Sequence, residues 1–151
     1  MQPERVAVVT GANKGIGFFV AKQLLASCSL VILACRDAGR GEAAAKALAD
    51  PRARFMECDI SDGASIAAFA EKLSADVGRC DVLVNNAAIA FKAADPTPFA
   101  GQTGPTLRTN VKGTMDLTEK LLPLLEASES GRLVNVASRV GKGGLQRHFN
   151  L

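Results

Sequence analysis

The chain has 151 residues and a formal net charge of +3, with 48% hydrophobic and 22% charged residues. That is enough for one domain, expected over 1–151, with a real core. The charge is too small and too dispersed for a nucleic-acid binder, and no apolar stretch is long enough to span a membrane.

The chain enters its first apolar run directly after "MQPER". No leader is therefore expected, and the expected location is the cytoplasm. Cys28, Cys35, Cys58 and Cys80 form no CxxC pair. They read as buried, reduced thiols. The only histidine, His148, lies far along the chain from them, so no metal site is expected.

Short apolar runs predict five strands: "RVAVVT" (5–10), "LVILA" (30–34), "RFMEC" (54–58), "DVLVN" (81–85) and "LVNVA" (133–137). Several are apolar at successive positions, as in a parallel sheet covered on both faces. The helix after the first strand is expected to bury Ile16, Phe19, Val20 and Leu24, with Gln23 the one polar break on that face. The Ala-rich "GEAAAKALAD" (41–50) is a second helix. A third spans about 61–77 and buries Ile66, Phe69, Ala70, Leu73 and Val77. The stretch 90–105, rich in Pro and Gly, reads as an irregular loop after a strand's carboxyl end. A fourth helix, 107–127, carries Val111, Met115, Leu122 and Leu125 and also Leu117, Leu121 and Leu124. That stripe is too wide for the sheet alone, which suggests self-association through this helix or cover by another segment. Beyond Ser138 periodicity is lost, and 139–151 is expected to be an irregular tail. Strand–helix alternation with short links predicts a doubly wound α/β sheet.

The stretch "VVTGANKGIG" (8–17) places Gly11, Gly15 and Gly17 between the first strand and its helix. Backbone N–H groups and the helix dipole at such a turn attract phosphate. Gly11 allows the tight turn, Gly15 close approach of a ligand, and Gly17 contact between helix and strand. The expectation is a pyrophosphate site, that is, a dinucleotide. The second strand ends "LACRDAGRG". A carboxylate there holds the ribose 2′-hydroxyl of NAD. Here Cys35 takes that position, and Lys14, Arg36 and Arg40 can surround a 2′-phosphate. NADP(H) is therefore the expected cofactor. Asp37 is the alternative ribose ligand if the register differs by one or two residues. A solvated helix start is the plain reading of the arginines.

These segments, with "CDI" (58–60), "NNAAIAF" (85–91), "TNVKGT" (109–114) and "GRLVNVAS" (131–138), resemble the short-chain dehydrogenase/reductase family, in its NADPH-dependent carbonyl reductase branch. The resemblance implies a Rossmann-like sheet of about five strands, with the family's last strands missing. It implies that Gly11, Asn13, Lys14, Gly15, Ile16 and Gly17 form the cofactor loop. Asp59 would accept from the adenine amino group beside Ile60, and Asn86 and Ala87 would line the cofactor. Ala88 stands where the family usually has glycine. Asn110 matches the catalytic asparagine and Ser138 the catalytic serine. Each has a structural alternative: Asp59 as a helix N-cap (Ser61 being better placed), Asn110 as a solvated residue or a local kink, Ser138 as a plain strand-end residue. A Ser138–His148 hydrolase is disfavoured because no Gly-x-Ser-x-Gly elbow surrounds the serine.

The family's proton donor is a tyrosine followed four residues later by lysine, and this chain contains no tyrosine. His148 and Lys142 could donate in principle, but nothing in the sequence positions them. The expectation is an NADPH-dependent oxidoreductase of ketones, aldehydes or quinones in incomplete or inactive form, a fragment or alternative product. The competing expectation is a catalytically dead NADP(H)- or partner-binding module.

Overall fold

The computed structural model describes residues 4–138. What the sequence predicts for 139–151, including the irregular tail, Lys142 and His148, lies outside the described residues. Five strands, β1 (Val6–Thr10), β2 (Leu30–Cys35), β3 (Ala53–Glu57), β4 (Val82–Asn85) and β5 (Arg132–Asn135), form one parallel sheet in the order β3-β2-β1-β4-β5. The order reverses between β1 and β4, and their carboxyl ends diverge there into a crevice. All five residues of β1 are buried, as a strand flanked and covered on both sides requires.

Five α-helices connect the strands: α1 (Gly15–Leu24), α2 (Ala38–Ala47), α3 (Gly63–Asp76), α4 (Phe99–Leu107) and α5 (Thr114–Glu126). One core layer joins Val8, Ile32 and Leu83 to Ile66, Phe69 and Leu73 of α3 and Leu117, Leu121 and Leu125 of α5. The opposite layer sets Ala7, Val9, Val31 and Val84 against Ala21 of α1 and Ala44 of α2.

The first helix bears out only half of the expected face: Val20 and Leu24 are half-buried against the core. Ile16 and Phe19 are largely exposed and Gln23 is exposed, while Gly17 and Ala21 are buried. Close approach is the reason. A Cβ on Gly17 would fall 2.6 Å from the Gly11 carbonyl oxygen, so the smallest residues face the strand. The second helix begins three residues earlier than expected, capped by Asp37. The cap of α3 is Asp62, which accepts the Ala64 N–H at 2.9 Å, and neither Asp59 nor Ser61 fills that place.

The stretch 90–105 is only partly irregular, because α4 already begins at Phe99. Its helix survives two glycines and Pro105, an override of local propensity. The helix expected over 107–127 also contains a π-helical turn, Arg108–Gly113, before α5. The wide stripe divides as its width implies: Leu117, Leu121 and Leu125 are buried, whereas Leu107, Val111, Met115 and Leu122 are exposed. Among the described residues β5 is an edge strand, with Leu133, Val134 and Val136 nearly half exposed.

All four cysteines are buried and free. Burial pushes the thiols of Cys58 and Cys80 up to about 12 and that of Cys35 up to about 11. Such thiols are not nucleophiles at neutral pH. No group of potential metal ligands is found among the described residues, and none of their helices is long and apolar enough to cross a membrane.

Candidate functional site

The crevice beyond β1 and β4 opens into a cleft of about 400 Å³. Its near wall is the glycine turn. Gly11 and Gly15 both have positive φ, +62° and +56°, a region in which glycine is at ease and bulkier residues are strained. A Cβ on Gly11 would lie 2.9 Å from the Ala87 backbone, but around Gly15 there is open space to 4 Å. Gly15 thus faces the cleft, and Lys14, in extended backbone at −162°, leads into α1. Gly11, Asn13, Lys14, Gly15 and Ile16 all line the cleft. Gly17 does not; it lies buried beneath, against the Gly11 carbonyl and the Asn86 side chain.

The turn is braced across the crevice by two residues. Thr10 Oγ1 accepts the N–H groups of Asn86 at 3.0 Å and Ala87 at 2.9 Å. Asn86 Nδ2 donates back to the carbonyls of Thr10 at 3.0 Å and Gly11 at 3.3 Å. Asn86 and Ala87 line the cleft as well. Thr10 is buried and its role was not legible in sequence, because its partners lie more than seventy residues away.

Charged side chains also line the cleft. Arg36, Arg40 and Lys14 share the cleft with Asp37 and Asp59. Asp59 Oδ1 accepts from the Ser61 N–H at 2.9 Å and from Ser61 Oγ at 2.7 Å, while the Asp59 N–H donates to Ser65 Oγ. These bonds orient the loop before α3, with Ile60 also on the cleft wall. Ala34, Cys58, Ala88, Ile89 and Thr109 complete the lining. Small side chains at the ends of β2 and β4 leave this volume open.

Asn110 and Ser138 are not among the cleft's lining residues. Asn110 sits in the π-helical turn, where its Oδ1 accepts the Ile89 N–H and its Nδ2 donates to the Ile89 carbonyl, each at 2.8 Å. The side chain therefore pins the loop after β4, and the local-kink reading of Asn110 describes its backbone. Ser138 is exposed, three residues past the end of β5. A polar ladder sets that strand: Asn85 Nδ2 donates to Asn135 Oδ1 at 2.9 Å and to Thr118 Oγ1 at 3.0 Å.

A phosphate-sized opening at a helix start, three cations and a switch in strand order together suit a phosphorylated dinucleotide. Comparison with known proteins agrees with this geometry. The short chain dehydrogenase family matches residues 5–149. "Carbonyl reductase [NADPH] 1" of Sus scrofa is 47% identical over 140 residues, covering 91% of this chain and 48% of that protein. The Homo sapiens protein of the same name is 48% identical over 139 residues, covering 88% of this chain and 48% of its own length. The chain thus spans about half the length of these relatives. Among solved structures, menthone neomenthol reductase from Mentha piperita superposes with a TM-score of 0.80 at 33% identity, covering 91% of this chain and 62% of that one. A metagenomic short-chain oxidoreductase in complex with NADP gives 0.79 at 34% identity, covering 91% and 63%. With its parallel five-stranded sheet, its glycine turn and this match across nearly its whole length, the chain belongs to the short-chain dehydrogenase family.

Proposed function

We propose that the cleft binds NADP(H) and that the chain is the cofactor-binding part of an NADPH-dependent carbonyl oxidoreductase acting on ketones, aldehydes or quinones. The observation that carries this reading is that Lys14, at the amino end of α1, and Arg36 and Arg40, past the end of β2, line one cleft. The relatives named for NADPH support it. The open space over Gly15 fits a diphosphate, which would meet the first amides of α1. Arg36 and Arg40 would hold the 2′-phosphate, and Asp59, with Ile60 beside it, the adenine. When bound, the cofactor supplies the hydride.

The chain's own part is to bind and orient. Asn110 and Asn86 hold the loops that would meet the bound cofactor, and Ser138 would polarise a substrate carbonyl. Reduction also needs a proton for the developing alkoxide. The chain has no tyrosine to give one, so the 151 residues by themselves are expected to bind cofactor without turnover. A cytoplasmic location belongs to the same proposal, and four free thiols fit a reducing compartment.

Calorimetric titration with NADPH and NADH, alongside NADPH oxidation with a quinone or an aromatic ketone, tests this. Tighter binding of NADPH and negligible oxidation are expected. Brisk turnover by the isolated chain would refute the inactive form. Failure of a folded sample to bind either coenzyme at millimolar levels would refute the cofactor site.

One observation favours a partner as well. Leu107, Val111, Met115 and Leu122 form an exposed apolar row. Two copies packed against each other through this row would take its apolar surface out of water in both. Sedimentation is expected to show dimers that the double substitution Met115→Lys, Leu122→Lys converts to monomers. A wild-type chain that stays monomeric at about 0.1 mM, weaker than a typical specific interface, would count against it.

A further inference from the structure

Asp37 is a carboxylate at the charged end of a cleft fitted for phosphate. It stands with Arg36 and Arg40 on the cleft wall. By Coulomb's law alone it opposes a phosphorylated ligand there. Its contacts point the other way. Oδ1 accepts the Arg40 N–H at 2.8 Å, which caps α2. Oδ2 lies 3.8 Å from Arg40 Nε. The Asp37 carbonyl accepts the Gly41 N–H at 2.9 Å. On the other side of the same turn, a Cβ on Gly41 would fall 2.2 Å from the Phe55 ring, so α2 already touches β3. The first turn of α2, and Arg40 with it, is held between Phe55 and the Asp37 cap.

Resting on the NADP(H) reading above, we infer that Asp37 is a positioning residue for the 2′-phosphate: it caps α2 and so presents Arg40, and this outweighs its own repulsion of the phosphate. The balance follows from exposure. The side chains of Asp37 and Arg40 are 49% and 68% exposed, so water screens the through-space repulsion strongly. The cap is a short-range bond to one amide, which screening weakens much less.

The experiment measures dissociation constants for NADPH and NADH on the wild-type chain, Asp37→Ala and Asp37→Asn, by calorimetry. Asparagine keeps the capping acceptor and removes the charge. In Asp37→Ala the NADPH affinity is expected to fall about threefold to tenfold, the usual worth of a cap. In Asp37→Asn it stays within about twofold or improves, and NADH binding changes little in either variant. Tighter NADPH binding in Asp37→Ala would make repulsion the dominant effect and overturn the inference. So would an equal loss in Asp37→Asn, or an equal loss of NADPH and NADH, which signals general loosening. A selective loss of NADH would assign Asp37 to the ribose hydroxyl and also overturn it. A wild-type chain that binds no NADPH removes the cofactor reading, and this inference with it.

Discussion

Replacing Gly113 with alanine is expected to destabilise the chain by about 3 kcal/mol or more, the upper range for overfilling a packed site. Gly113 ends the π-helical turn and is buried. An added Cβ would sit 1.8 Å from the Ile60 carbonyl oxygen and 2.7 Å from its carbon. Both are backbone atoms, so no side chain can swing away. The helix would have to lift off the loop after β3, pulling Leu117 and Leu121 of α5 out of the core. Ile60 also lines the cleft, so NADPH binding should weaken with stability. Gly104→Ala in α4 is the control: apart from its chain neighbours nothing lies within 4 Å of its added Cβ, and because Pro105 follows and opposes a Cβ on a helical residue before it, the gain in helix propensity is offset and a change within about 1 kcal/mol is expected. Urea unfolding of both variants checks the contrast. Equal midpoints would show that α5 yields easily to the extra methyl.

Asp81→Ala is expected to lower stability by about 2–4 kcal/mol at pH 7, through hydrogen-bonding groups left without their acceptor. Asp81 is fully buried at the start of β4. Its Oδ2 accepts the Val6 N–H at 2.8 Å and Arg79 Nε at 2.6 Å, and its Oδ1 accepts Arg79 Nη2 at 2.8 Å and Ser128 Oγ at 2.5 Å. One carboxylate thus ties β1, β4 and the turn before β5. Burial by itself pushes its pKa up, but the bonds from Arg79, Ser128 and the Val6 N–H outweigh burial and hold it below the usual carboxylate value. The sign follows from that depression. The ionised group stabilises the fold above the unfolded pKa of about 3.9, and the contribution fades as pH falls from there toward the lower folded value. Wild type should therefore lose stability across this acid range, while Asp81→Ala should show a flatter profile there. Thermal melts from pH 7 to pH 3 test both points. Parallel pH profiles for the two proteins would show that the carboxylate is not the titrating element.

The strands were legible in sequence because a sheet covered on both faces demands continuous apolar runs, and each observed strand lies within about two residues of its run. The glycine turn was legible for a similarly local reason: positive φ at Gly11 and Gly15 restricts the residue type wherever the turn occurs. Arg36, Arg40 and Lys14 were placed by their nearness to strand ends and Asp59 by the family resemblance, and the cleft gathers all four. The helical faces were less legible. Ile16 and Phe19 look like core residues, yet the short distance between α1 and the sheet admits only Gly17 and Ala21.

Sequence by itself determined the alternation of strands and helices, the phosphate-type turn and the excess apolar surface on the 107–127 helix, because each depends on residues close together in the chain. Only the tertiary structure decided that helix formation begins at Phe99, that the backbone takes a π-helical turn at Asn110, and that Thr10, Asp37 and Asp81 serve as brace, cap and knot. The brace and the knot join partners some 75 residues apart, and the cap at Asp37 depends on α2 beginning at Ala38. Hydrogen-bond geometry between distant segments exists only once the sheet has brought them together, and local propensity carries no record of it.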